Sequence, residues 1–88
     1  MTRIKYTKHS DRNIYFSKQY LAGNKILHAT IINKEGDTRY QVIVNDMNEG
    51  VLLYEQLCAS FNSAKRVVKN QFKLHGLNIA DEIRKKIE

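Results

Sequence analysis

Hydrophobic and polar positions alternate along the first half of the chain, and then the period changes. From Ile14 the run Ile-Tyr-Phe-Ser-Lys-Gln-Tyr is aromatic and β-branched, which predicts a strand. Ala22-Gly23-Asn24 supplies turn chemistry, because Gly and Asn tolerate positive φ. Lys25 to Asn33 sets Leu27, Ala29 and Ile31 on one side and His28 and Thr30 on the other, a second strand. Lys34-Glu35-Gly36-Asp37 has the length and the glycine of a hairpin turn. Arg39 to Asn45 then places Tyr40, Val42 and Val44 opposite Arg39, Gln41 and Ile43. The economical arrangement is a three-stranded antiparallel meander over residues 13–45.

After the polar break Asn45 to Gly50, Val51 to Cys58 reads two ways. A strand has Val51, Leu53 and Tyr54 in its favour, but alternation fails at Leu52-Leu53. A helix has phase: Leu53, Leu57, Phe61, Ala64, Val68 and Phe72 are spaced four, four, three, four and four residues apart. Those steps keep one face in register for about five turns, and Asp46 or Asn48 would cap the start. The phase favours a long helix over 49–75. His75-Gly76-Leu77 marks its end as a last helical residue, a left-handed glycine and an apolar residue folding back. Asn78 then opens a short helix over 78–88, whose Ile79, Ile83 and Ile87 form an i, i+4, i+8 stripe. The expected class is α+β, in the order β-β-β-α-α, with the long helix on one face of the sheet. Residues 1–12 precede it as an irregular basic arm, and the 88 residues make a single domain.

Composition narrows the function more than the fold. The chain is 42% hydrophobic and 27% charged, with neither Trp nor Pro. Its lone Cys58 rules out an internal disulfide, and no Cys/His spacing resembles a zinc site. The apolar runs fall far short of the roughly 20 residues a membrane helix needs, and the N-terminus lacks a signal-peptide core. The expectation is a cytoplasmic protein without catalysis, cofactor, metal or membrane contact. Net charge is +6, unevenly distributed. Residues 1–25 carry six Lys or Arg against one acid, 26–60 two against five, and 61–88 seven against three. Basic ends around an acidic middle give the surface potential a direction.

The second half concentrates this charge on one side. At about 100° per residue with Ala64 at zero, Val67, Val68, Phe72 and Leu74 fall within about 80° of it. Lys65, Arg66, Lys69 and Lys73 fall between about 100° and 200°, and no acid occurs between residues 56 and 80. Such an arc is either a solvated face or a contact surface for phosphates. Arg3, Lys5, Lys8 and Arg12 add cations from the arm, beside Tyr6 and His9 and ahead of Tyr15, Phe16 and Tyr20. Aromatics interleaved with cations are what unpaired bases stack on. Core packing is the competing reading for Phe16 and one of the tyrosines. The run Ala64-Lys65-Arg66-Val67-Val68-Lys69-Asn70 resembles the start of the second helix of double-stranded RNA-binding domains. That resemblance implies cations reaching phosphates across a groove from a helix laid on a three-stranded sheet. It covers only these residues, and no first helix precedes the strands.

Catalytic constellations are weak. His9, His28, Lys65 and Arg66 supply the residue types of a nuclease, but nothing in their spacing demands one. His75 suits the negative end of a helix, Cys58 reads as packing, and Asp37, Asp46 and Glu49 are loop acids. The function expected is therefore a small non-catalytic nucleic-acid-binding protein, with RNA or single strands favoured over sequence-specific duplex reading. The alternative is a compact adaptor or inhibitor of the kind phages use to block a host protein, such as an RNA-acting enzyme. Its interface would be the sheet face carrying His28, Thr30, Gln41 and Ile43, or the edge of the sheet. An uncovered sheet face and the isoleucine stripe also leave room for a homodimer.

Overall fold

The computed structural model describes residues 4–9, 13–34 and 36–77. Its elements are β1 (Tyr6–Lys8), β2 (Ile14–Ser17), β3 (Tyr20–Ala22), β4 (Lys25–Ile32), β5 (Tyr40–Asp46), β6 (Val51–Cys58) and α1 (Phe61–Leu74). All strand pairings are antiparallel, in the order β1-β2-β4-β5-β6, with β3 also paired to β4. This overturns the three-stranded meander with two helices. Among the described residues the sheet has six strands and there is one helix. The short helix expected over 78–88 lies outside the described residues.

Three local features account for the difference. First, Tyr6–Lys8 of the expected arm pairs with β2, so that Tyr6 opposes Ser17 and Lys8 opposes Tyr15. Second, the single strand expected from Ile14 is two, β2 and β3, which follow one another along β4. Phe16 opposes Thr30 and Tyr20 opposes Leu27, so three residues of one strand face two of the other. The extra residue is a β-bulge. Buried Ser17 closes the gap, its Oγ accepting the Ala29 N–H at 2.8 Å and donating to the Lys18 carbonyl at 2.8 Å. The β3–β4 turn has Gly23 at φ 62°, the first central position of a two-residue hairpin.

Third, Val51–Cys58 is a strand and not the beginning of the helix. Its register on β5 slips by one residue between Val44 and Asn45, and Leu53 is the residue left over. That bulge is why alternation fails at Leu52-Leu53. The helix begins instead at Ser60, whose extended backbone (φ −147°, ψ 163°) and Oγ cap it by accepting the Ser63 N–H. Asp46, expected as a helix cap, is buried at the end of β5 and accepts the Asn48 N–H at 3.0 Å, bracing a turn. The C-terminal end matches its signal. Gly76 at φ 113° donates to the Lys73 carbonyl and Leu77 to the Phe72 carbonyl, the paired bonds of a Schellman motif.

The core lies between α1 and one face of the sheet. Leu27, Ala29 and Ile31 of β4 and Val42 and Val44 of β5 meet Ala64, Val68 and Phe72 of α1, all at 0–1% exposure. Cys58 is buried beside them, and burial pushes its thiol above the ordinary pKa. α1 lies over β5, with β6 and β4 on either side. The end of α1 abuts the β3–β4 turn, where a side chain on Gly76 would come within 3.5 Å of the Gly23 nitrogen.

Candidate nucleic-acid interface

Because α1 is displaced toward β5 and β6, the part of its face of the sheet above β1 and β2 is left to side chains from the strands. Aromatic rings fill it. Phe61, at the first turn of α1, packs against Tyr15 with ring centroids 4.5 Å apart, Tyr40 at 5.7 Å and Tyr6 at 6.4 Å. Tyr20 continues the row toward the other end of the helix, 5.8 Å from Phe72. All of these except Phe72 are only half-buried, so the row is both an extension of the core and a surface. The Tyr6 hydroxyl is covered and has no hydrogen-bond partner among the described residues. Burial, reinforced by Tyr20, pushes its pKa well above the ordinary tyrosine value, so the ring stays neutral.

Cations border this aromatic shelf. Lys65 Nζ lies 4.9 Å from the Phe61 ring centroid, and Lys8 Nζ, from β1, lies 5.9 Å from that of Tyr15. Continuing around α1 from Lys65 come Lys69, Lys73 and Arg66, all exposed. Phe61 and Phe72 reach the tyrosines of β1, β2 and β3, so the helix flank carrying the cations is the one beside the shelf. Among the described residues, none of Lys65, Arg66, Lys69 and Lys73 makes a salt bridge. The acids of the middle segment engage elsewhere: Asp37 pairs with Arg39 at 3.1 Å, and Glu55 accepts a hydrogen bond from Gln41 at 2.7 Å. The hydrogen bonds from Arg39 hold the Asp37 carboxyl below its usual range.

The eight cations singled out from the sequence therefore separate. Lys65, Arg66, Lys69 and Lys73 share one flank of α1, and Lys8 joins them across the shelf. Lys5 is exposed ahead of β1, where its backbone N–H donates to the Tyr20 hydroxyl at 2.7 Å. Alternation turns its side chain away from that of Tyr6. Arg3 and Arg12 lie outside the described residues. Of the aromatics, Phe16 is not on the shelf but on the opposite face, stacked on His28 with centroids 6.0 Å apart. Tyr40 and Phe61 were missed by sequence reasoning. Their signal was available, since Tyr40 alternates in phase with Val42 and Val44, and Phe61 follows a capping serine.

Two of the three histidines, His28 and His75, lie away from the shelf and its cations. His28 sits on the sheet face away from α1, where burial lowers its pKa, while His75 closes the far end of α1. Among the described residues, no helix is long and apolar enough to cross a membrane. No protein family, characterised protein or solved structure was found to match the chain.

Proposed function

We propose that the protein binds single-stranded nucleic acid, with RNA favoured, along the flank of α1 that borders the aromatic shelf. The observation that carries this reading is the arc of Lys65, Arg66, Lys69 and Lys73, unpaired among the described residues and adjacent to half-buried aromatic rings. Four cations over three turns repel one another, and a row of phosphates neutralises them together. Lys8 supplies a fifth contact from the opposite side of the shelf. Tyr15, Tyr40 and Phe61 offer ring surface on which an unpaired base stacks, each such contact contributing about 1–3 kcal/mol. A duplex keeps its bases inside and gains nothing from those rings. Since backbone contacts carry no sequence information, binding is weakly sequence-specific.

Fluorescence anisotropy with labelled single-stranded RNA, single-stranded DNA and duplex DNA tests the proposal. Five neutralised phosphates on a single strand give a log–log salt slope of about −3.5, roughly a hundredfold loss of affinity between 50 and 200 mM salt. Changing Lys65, Arg66, Lys69 and Lys73 together to Gln brings that slope close to −1 and abolishes binding at 150 mM salt. A flat salt dependence, or a quadruple variant that binds as the parent does, refutes the assignment.

A further inference from the structure

The middle of the sheet face turned away from α1 is apolar, and charge gathers at its rim, where Lys34, Asp37 and Arg39 border Ile32, Gln41 and Leu57 and Arg39 pairs with Asp37. Across its middle the register aligns Phe16 of β2, Thr30 of β4, Ile43 of β5 and Glu55 of β6. One step along β4, Ile32 lies between Ile14 and Gln41, and Gln41 faces Leu57. Leu57 is 55% exposed and Phe16 37%, values that belong to an interface side chain more than to a soluble surface. Glu55 is the one formally charged residue in these rows, and it is already hydrogen-bonded to Gln41.

We propose that this face is the interface of a symmetric homodimer, in which the sheets of two copies pack face to face. Three features select a second copy as the occupant. The first is area. Four tracks of strand (β2 with β3, β4, β5 and β6) at about 4.8 Å spacing and about 25 Å long present a footprint of roughly 500 Å², and side-chain relief brings the accessible surface toward the roughly 800 Å² per partner of a standard interface. The second is charge. A chain of net charge +6 meets an identical chain with least repulsion through a surface whose middle carries no cation; here Arg39 stands at the rim, paired with Asp37, and the arc on α1 is on the other side of the sheet. Stacking two sheets leaves the two helices outermost, about 30 Å apart and several screening lengths away from one another. The third is self-complementarity. β4 is the middle track of the sheet, with Phe16 on one side of Thr30 and Ile43 on the other. A two-fold axis running along β4 lays Phe16 of each copy on Ile43 of the other, the reciprocal contact that such symmetry requires.

Sedimentation equilibrium of the full chain over about 1–100 μM is the test, read against the 10.3 kDa monomer mass. The expected result is twice that mass at the upper concentrations. Ile43→Lys, which on the isolated sheet stands beside Glu55 and so remains compatible with the fold, should raise the dissociation constant at least a hundredfold. Its circular dichroism should be that of the parent. A second variant, Thr30→Cys in a Cys58→Ser background, should cross-link to a covalent dimer with a short bismaleimide, because Thr30 sits at the symmetry axis and stacked sheets lie about 10 Å apart. A monomer throughout the concentration range overturns the proposal. So does a dimer indifferent to Ile43→Lys that fails to cross-link through position 30. A monomer that dimerises only after removal of residues 78–88 also overturns it, by assigning the face to that segment.

Discussion

The hydroxyl of Ser17 takes the place of a missing backbone partner at the β2–β3 bulge. It is 5% exposed and makes two bonds of 2.8 Å, one accepted from the Ala29 amide and one donated to the Lys18 carbonyl. Ser17→Ala leaves the Ala29 N–H buried with no acceptor, a desolvation cost of about 1–3 kcal/mol that urea unfolding followed by circular dichroism will read. Ser17→Thr, which keeps the oxygen, should recover most of that loss. Nothing in the one-dimensional pattern singles out this serine. Ile-Tyr-Phe-Ser-Lys-Gln-Tyr has strand composition from end to end, and the break becomes visible only when Phe16 and Tyr20 are set against their partners on β4. At this scale the candidate site was partly legible. Lys65, Arg66, Lys69 and Lys73 announce themselves by spacing and by the absence of acids around them. Tyr40 announces its side of the strand, by alternating with Val42 and Val44, but not its partner, because its ring reaches Phe61 from a strand more than twenty residues earlier.

In α1 the apolar and cationic arcs coexist on fourteen residues, and they oppose one another energetically. Ala64, Val68 and Phe72 anchor the helix in the core, while Lys69 sits one turn from both Lys65 and Lys73. Each like-charge i, i+4 pair costs about 0.2–0.5 kcal/mol. Lys69→Gln removes two of them, so it should stabilise the protein by roughly 0.4–1 kcal/mol while weakening its hold on single strands. Thermal unfolding beside anisotropy detects both changes, and a variant that loses stability contradicts this account of the arc. The ends of the same helix show how far local signals reach. Gly76 and Leu77 close it by a motif confined to six residues, which a reader of sequence can find. Its beginning misleads, because Leu53 and Leu57 fall in phase with Phe61, Ala64, Val68 and Phe72 although they belong to β6. The bulge at Leu53 breaks the strand alternation that would have exposed the coincidence.

Among the described residues, the cationic arc of α1 and the apolar middle of the other sheet face lie on opposite sides of one sheet. The separation makes the two proposed interactions independent. The quadruple Gln variant of the helix should keep the dimer mass while losing nucleic acid, and Ile43→Lys should lose the dimer while keeping a steep salt dependence of binding. Sedimentation and anisotropy on the same two proteins check this, and a loss of both properties in either variant shows the faces to be coupled. Sequence alone determined where cations cluster, which residues of β4 and β5 share a side, and how α1 ends. Those properties depend on neighbours within a turn or two, where a period of two or of 3.6 residues is physically enforced. Tertiary structure decided that Val51–Cys58 is a strand, that Tyr6–Lys8 joins the sheet, and that rings from β1, β2, β5 and α1 meet in one place. Each of those outcomes rests on backbone hydrogen bonds or ring contacts between distant segments. Their energy exists only once the sheet has brought the segments together.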